Sequence, residues 1–227
     1  MRLLSVPIAL LVAMACAHGS GSSASAEKAP DWNCRFGIDY VFPLLPPFEQ
    51  ELWPRLYART GARWVNFAEV SWARIEPKPP KDGRHQYRWE KLDRAVRLWQ
   101  RHGFQIVMSL RLGRGWFAGP IRYRPDLGGL SRLLTFRGSD RLPAQEHLKH
   151  YEAWIAALVE RYDHDGRDDA PGLRYPVLHY QLGNEYGNPV FWTGTLEDYG
   201  RLLKVTRGGG TKSLSPRSDH RSRAPLE

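Results

Sequence analysis

The run "YPVLHYQLG" (175–183) is apolar and β-like, yet it opens directly onto Asn184 and Glu185 in "QLGNEYGN". A carboxyl group at a strand end can give or take a proton, and an amide beside it can hold a hydroxyl by hydrogen bonds. Three other apolar runs carry polar groups at the same end. "RFGIDYVF" (35–42) holds Asp39 and Tyr40, "ARWVNFAEV" (62–70) holds Glu69, and "FQIVMSL" (104–110) leads into Arg111. Trp116 and Phe117 in "LGRGWFAGP", and Trp192 in "PVFWTG", stand in connecting segments. There a flat ring serves either as a stacking platform or as an anchor for its own loop. Trp192 lies close to Glu185, which favours the platform. Trp72 and Trp89 are expected in the core, and His179 is expected to pack or hydrogen-bond locally.

Metal chemistry has little to work with at this level. His147 and His150 are three apart on a helical stretch, but no third ligand stands at a matching spacing. They are expected on a solvated face, and no metal or cofactor is expected. "DHDGRDD" (163–169) lacks the order of a calcium-binding loop and reads as polar surface. Cys16 and Cys34 are the only cysteines, which excludes a disulfide framework and a cysteine metal site.

The elements that must position these residues alternate. The four strands are 35–42, 62–70, 104–110 and 175–183. "PPFEQELWPRLYARTG" (46–61) has an apolar stripe at Phe48, Leu52 and Leu56, with Pro54 as a kink or late start and Gly61 as a stop. "RWEKLDRAVRLWQRHG" (88–103) turns Leu92, Ala95, Val96 and Trp99 inward. A long loop over 111–143 precedes a helix at 144–163. A last helix at 195–206 opens with Thr195 and Asp198 in capping-box spacing. Strands alternating with helices imply a parallel sheet with helical crossovers. Half of an eight-stranded barrel and a small doubly wound sheet both fit. No G-x-G-x-x-G or P-loop follows a strand, which removes support from the nucleotide-binding versions.

The ends read differently from the middle. Residues 1–16 carry Arg2 and then an apolar run, the pattern of a secretory signal and too short for a membrane span. "AMAC" resembles a bacterial lipobox, so a lipid on Cys16 would attach the chain to the cell envelope; plain cleavage near Ala15 or Ala17 would secrete it. Residues 17–33 form a Gly/Ser-rich linker. Residues 207–227 are expected to be disordered. They hold Arg207, Lys212, Arg217, Arg221 and Arg223 against Asp219 and Glu227, so much of the +9 net charge lies outside the domain. No basic cluster interleaves with aromatics, so nucleic acid is not an expected partner.

The Asn184–Glu185 pair resembles the acid/base signature of the clan A glycoside hydrolases. "EVSWARIEP" (69–77) followed by "YRWEKLDRAV" (87–96) is similar to the stretch after strand two in family 42 β-galactosidases, and "FWTGTLEDYGRLLK" resembles the segment after the acid/base Glu. The likeness covers about 35–206. It implies a partial (β/α)8 TIM barrel, about the first four β-α units, over 34–206. It also implies a retaining mechanism on a carbohydrate, with Glu185 as acid/base and Asn184 on the sugar 2-hydroxyl. Asp39, Glu69, Trp116 and Trp192 become substrate-binding candidates. A retaining enzyme needs two carboxyls about 5–5.5 Å apart, and an acid/base Glu needs a raised pKa from burial or a neighbouring carboxylate. One position departs: where the family usually carries an Arg after the Trp-Val of strand two, this chain has Asn66, leaving Arg63 or Arg74 to compensate. The nucleophile of the clan comes from strand seven, and the pattern here stops near Thr206. A frameshift or truncation near Arg207 is the expectation, with an inactive chain and self-association through the open barrel half. The alternative is a non-catalytic carbohydrate-binding or half-barrel assembly module.

Overall fold

The computed structural model describes residues 33–41, 43, 47–120, 140–188, 191–192 and 194–213. Residues 1–16, expected as a signal segment ending at Cys16, most of the expected linker at 17–33, and residues 214–227 lie outside the described residues. The elements run β1 (Gly37–Val41), α1 (Pro47–Ala58), β2 (Trp64–Ser71), α2 (Trp72–Ile75), α3 (Glu90–Arg101), β3 (Gln105–Arg111), α4 (Leu148–Tyr162), β4 (His179–Leu182) and α5 (Leu196–Ser213). Among the described residues no helix is long and apolar enough to cross a membrane.

All strand pairs are parallel and the sheet order is β1-β2-β3-β4. That order decides between the two architectures. A doubly wound sheet reverses its strand order at a switch point, whereas right-handed crossovers in unbroken sequence build a barrel wall. Side chains alternate across this wall, as the pleat requires. Val65, Phe67, Ile106 and Met108 are buried in the helix-side core, while Asp39, His179 and Gln181 are exposed on the other face. Trp64 and His179 meet edge to face at 5.1 Å although β3 separates their strands, so that face is concave.

α1 is continuous through Pro54, so the proline neither delays nor ends it. Gly61 and Gly103 follow α1 and α3 with φ of +85° and +80°, the left-handed conformation that stops a helix at little cost to glycine. Leu92, Ala95, Val96, Leu98 and Trp99 of α3 are buried. On the same helix Asp93 accepts from Arg161 Nε and Nη2 at 2.9 and 2.6 Å and from Tyr162 Oη at 2.7 Å, tying α3 to α4. Burial and the neighbouring Asp93 carboxylate push the Tyr162 hydroxyl well above its ordinary pKa, so it stays a donor. Trp72 forms the other joint, stacked on Phe117 at 3.7 Å and on Trp154 at 5.8 Å. Trp72 is fully buried as expected, and Trp89 is half-buried under the Arg161 guanidinium.

The last helix corrects the expected boundary at Thr206. α5 continues through Arg207 and Gly208–Gly210 to Ser213. A Cβ on Gly209 would lie 2.8 Å from the Glu152 carbonyl oxygen and 3.0 Å from Ile155, so the glycines let α5 lie flat on α4. Tyr151 and Thr206 hydroxyls meet across the same seam at 2.8 Å.

Candidate functional site

The chain leaves β4 through a tight turn. Gly183 donates its N–H to the Leu110 carbonyl at 2.8 Å, holding the turn to the end of β3. Its φ is +64°, and a Cβ there would stand 2.3 Å from Tyr186 Oη. Gln181 Nε2 donates to the Gly183 carbonyl at 2.9 Å. Tyr186 then turns inward, 3.7 Å from the Tyr199 ring of α5 and edge-on to Trp192 at 5.2 Å. With glycine before it and an inward-packed tyrosine after it, Glu185 is turned outward. Its φ is +45°, a left-handed backbone that costs a non-glycine residue about 1–2 kcal/mol. The carboxylate is exposed and accepts from Asn188 Nδ2 at 3.0 Å, while Asn188 N–H donates to the Glu185 carbonyl at 2.8 Å. Asn184 is half-buried beside it. Among the described residues, the burial expected for a proton-donating Glu is not present around Glu185.

Beneath this turn lies a buried ion pair. Arg111, at the end of β3, donates Nε to Asp140 Oδ2 at 2.6 Å, and Gly113 N–H donates to Asp140 Oδ1 at 2.8 Å. The guanidinium sits over the Phe191 ring at 5.3 Å, and Asp140 N–H donates to the Phe191 carbonyl at 3.2 Å. Thus β3, the segment at Asp140 and the segment at Phe191–Trp192 are locked together under the Glu185 turn. Sequence reading misses Asp140, because no spacing links it to Arg111.

The remaining candidates separate. Asp39 Oδ1 accepts from Asn66 Nδ2 at 2.8 Å, and Asn66 Oδ1 accepts from Ser109 Oγ at 2.7 Å. A polar chain therefore crosses the concave face from β1 through β2 to β3. Neither compensating arginine stands in for Asn66: Arg63 Nη1 bonds the carbonyls of Ala58 and Ala62, and Arg74 Nη2 pairs with Glu69 Oε2 at 3.2 Å. Glu69 opens into a cavity of about 440 Å³ lined also by Pro43, Arg74, Arg88, Glu90 and Lys91; neither Asn184 nor Glu185 lines it. Trp192 is buried, with its indole N–H on the Thr195 carbonyl. Trp116 donates to the Glu76 carbonyl at 3.0 Å and packs against Trp72, His147 and His150, the anchoring arrangement.

His147 and His150 correct the expectation of a solvated face. Both are half-buried, and a third imidazole joins them, His85, whose Nε2 is 3.3 Å from His150 Nδ1. Its other nitrogen meets the fully buried Glu76 carboxylate at 2.7 Å. The acidic loop lies at the surface, as expected of a polar loop. Oxygens of Asp163, Asp165 and Asp169 lie within 4.8 Å of one another, but each carboxylate accepts backbone N–H groups of its own loop.

Comparison with known proteins fits this geometry. Residues 49–113, which span α1 to β3, match the glycoside hydrolase family 42 model, described as beta-galactosidase. The chain is 24% identical over 214 residues to the beta-galactosidase BgaA of Clostridium cellulovorans, covering 80% of this chain and 30% of that protein. Two β-xylosidase structures from Caulobacter crescentus share the fold. The monomeric enzyme of strain CB15 has a TM-score of 0.55 at 17% identity, over 79% of this chain and 34% of its own. The GH39 enzyme has a TM-score of 0.56 at 18% identity, over 83% and 40%. The chain thus spans between 30% and 40% of the length of these relatives. From β1 to α5 the chain has the fold of a partial (β/α)8 barrel similar to these glycoside hydrolases, with an Asn–Glu pair at the end of β4.

Proposed function

We propose that this chain carries the acid/base half of a retaining glycosidase site, with Glu185 as the proton donor and Asn184 as the ligand of the sugar 2-hydroxyl. The observation that carries the reading is the strained, outward-held Glu185 at the C-terminal end of β4, since barrel chemistry sits at that end of the strands and stored backbone strain marks functional positions. β-Galactosides are the favoured substrate class, from the family match over 49–113. β-Xylosides are the second class to try.

A retaining mechanism needs a second carboxylate across the scissile bond. Among the described residues, the other strand-borne acids taken as candidates are Asp39 and Glu69. Glu69 is neutralised by Arg74 and faces a different cavity, and Asp39 is bound into the chain through Asn66. The 227-residue chain by itself is therefore expected to leave aryl β-galactosides and β-xylosides intact. Continued by four further β/α units from a relative, it should turn them over. Glu185→Gln in that longer chain should then cost roughly 10²–10⁴-fold on poor leaving groups and less on activated ones. Equal losses on both substrate types would remove Glu185 from the acid role. Turnover by the 227-residue chain, abolished by Glu185→Gln, would place Asp39 or Glu69 as the nucleophile.

The open concave face favours a second reading, a non-catalytic sugar-binding module. The Asp39–Asn66–Ser109 chain, with Trp64 and His179 beside it, presents both polar groups and an aromatic surface. Saturable sugar binding that survives Glu185→Gln and is lost in Asn66→Ala would favour this module.

A further inference from the structure

Away from the strand ends, the loop after α2 and the start of α4 bring three imidazoles and one carboxylate together. Glu76 is fully buried, and its Oε2 is already engaged by the Trp72 indole N–H at 2.9 Å. Its Oε1 faces His85 Nδ1 at 2.7 Å. A carboxylate there accepts a proton from Nδ1, and with Nδ1 as the donor a neutral His85 presents its Nε2 lone pair as a ligand atom. His85 Nε2 stands 3.3 Å from His150 Nδ1. Two imidazole nitrogens bound to one tetrahedral zinc at 2.0–2.1 Å stand about 3.3 Å apart. His147 lies one helical turn before His150, with ring centroids 6.0 Å apart. Its Nδ1 is buried and has no hydrogen-bond partner among the described residues. Trp116 walls both rings edge-on, at 5.0 and 5.5 Å.

We propose that His85, His150 and His147 form a binding site for one zinc-class transition-metal ion, with Glu76 as the carboxylate that orients His85. Two of the three nitrogens already stand at the spacing of co-ligands. The ring nitrogens of the three histidines do not all lie within 4.8 Å of one another, so His147 must turn about its side-chain bonds to complete the set, and water takes the open position. The carboxylate–histidine–metal arrangement fixes tautomer and ring direction together, which is why such an outer carboxylate is worth about 10–100-fold in affinity. Imidazole donors select zinc, cobalt, nickel or copper over magnesium or calcium, so this site differs in chemistry from the oxygen-only loop at Asp163, Asp165 and Asp169. A metal here would pin the loop after α2 to α4, on the outer side of the barrel wall, and so acts on structure rather than on the Glu185 turn.

The test is calorimetric titration of the tag-free 227-residue chain with Zn²⁺, alongside visible absorption with Co²⁺. The expected result is one ion per chain at micromolar affinity or tighter, with the intense bands of four-coordinate Co²⁺. His85→Ala and His150→Ala should each weaken binding at least ~100-fold. Glu76→Gln should weaken it by about 10–100-fold, with circular dichroism confirming that the fold is kept. If Glu76→Gln does not fold, the two half-buried histidine variants carry the test. No saturable binding at millimolar Zn²⁺ would overturn the site and leave a proton shared between His85 and His150. Binding that survives both histidine variants but falls with Asp165→Asn would place the ion in the acidic loop instead. Unchanged affinity and unchanged Co²⁺ bands in His147→Ala would overturn the three-histidine assignment.

Discussion

At the scale of single residues, Glu185 is held in an unfavourable backbone conformation by its neighbours on both sides. Gly183 fixes the turn against β3, Tyr186 packs between Tyr199 and Trp192, and Glu185 takes the strain between them. Glu185→Gly should therefore not destabilise the chain. The left-handed strain of about 1–2 kcal/mol is relieved, against roughly 0.5–1 kcal/mol of added chain entropy and the loss of the Asn188 contact. A denaturant midpoint equal to or slightly above wild type is expected, and a loss beyond about 1 kcal/mol would show that the turn is not strained. Glu185 is legible in the sequence because a strand end is a readable place. The Asp39–Asn66–Ser109 chain is not, since it depends on the register of three strands at once. Nor can spacing find His85 beside His150, 65 residues away.

At the scale of elements, the strands and the larger helices lie close to where alternation and periodicity place them, because each buries one face. α5 shows where such reading fails. Three consecutive glycines look like a stop, since each costs a helix about 1 kcal/mol relative to alanine. Close packing on α4 overrides that preference. The two kinds of glycine in α5 should respond oppositely. A methyl added at Gly200 would meet nothing within 4 Å, so Gly200→Ala should stabilise the chain by about 0.5–1 kcal/mol. Gly209→Val should destabilise it by about 1–3 kcal/mol, because its side chain would meet the Glu152 carbonyl and Ile155. Urea melts of both variants check this. Equal effects of the same sign would mean that α5 does not seat on α4 through Gly209.

At the scale of the whole molecule, among the described residues, β1 and β4 are the edges of a four-stranded parallel sheet whose concave face stands open. Unpaired edges and exposed apolar residues template further pairing. Phe36 and Leu178, just before the two edge strands, are 58% and 59% exposed. Concentration-dependent self-association is expected by light scattering, and Leu178→Lys should reduce it. Association unaffected by that charge would place the contact elsewhere.

Whether the end of β4 carries a sugar-binding acid/base is decided by an NMR titration of the 227-residue chain with galactose- and xylose-configured iminosugars. Their ring ammonium groups stand at the reacting end of the sugar, within reach of a carboxylate that flanks the scissile bond. A site at Glu185 and Asn184 predicts saturable shifts in the amides of residues 183–188. Affinity should fall about tenfold in Glu185→Gln, the loss of roughly one charge-assisted hydrogen bond, and about five-fold in Asn184→Ala, the loss of a neutral one. The absence of saturable shifts in 183–188, or shifts that persist unchanged in both variants, would contradict it.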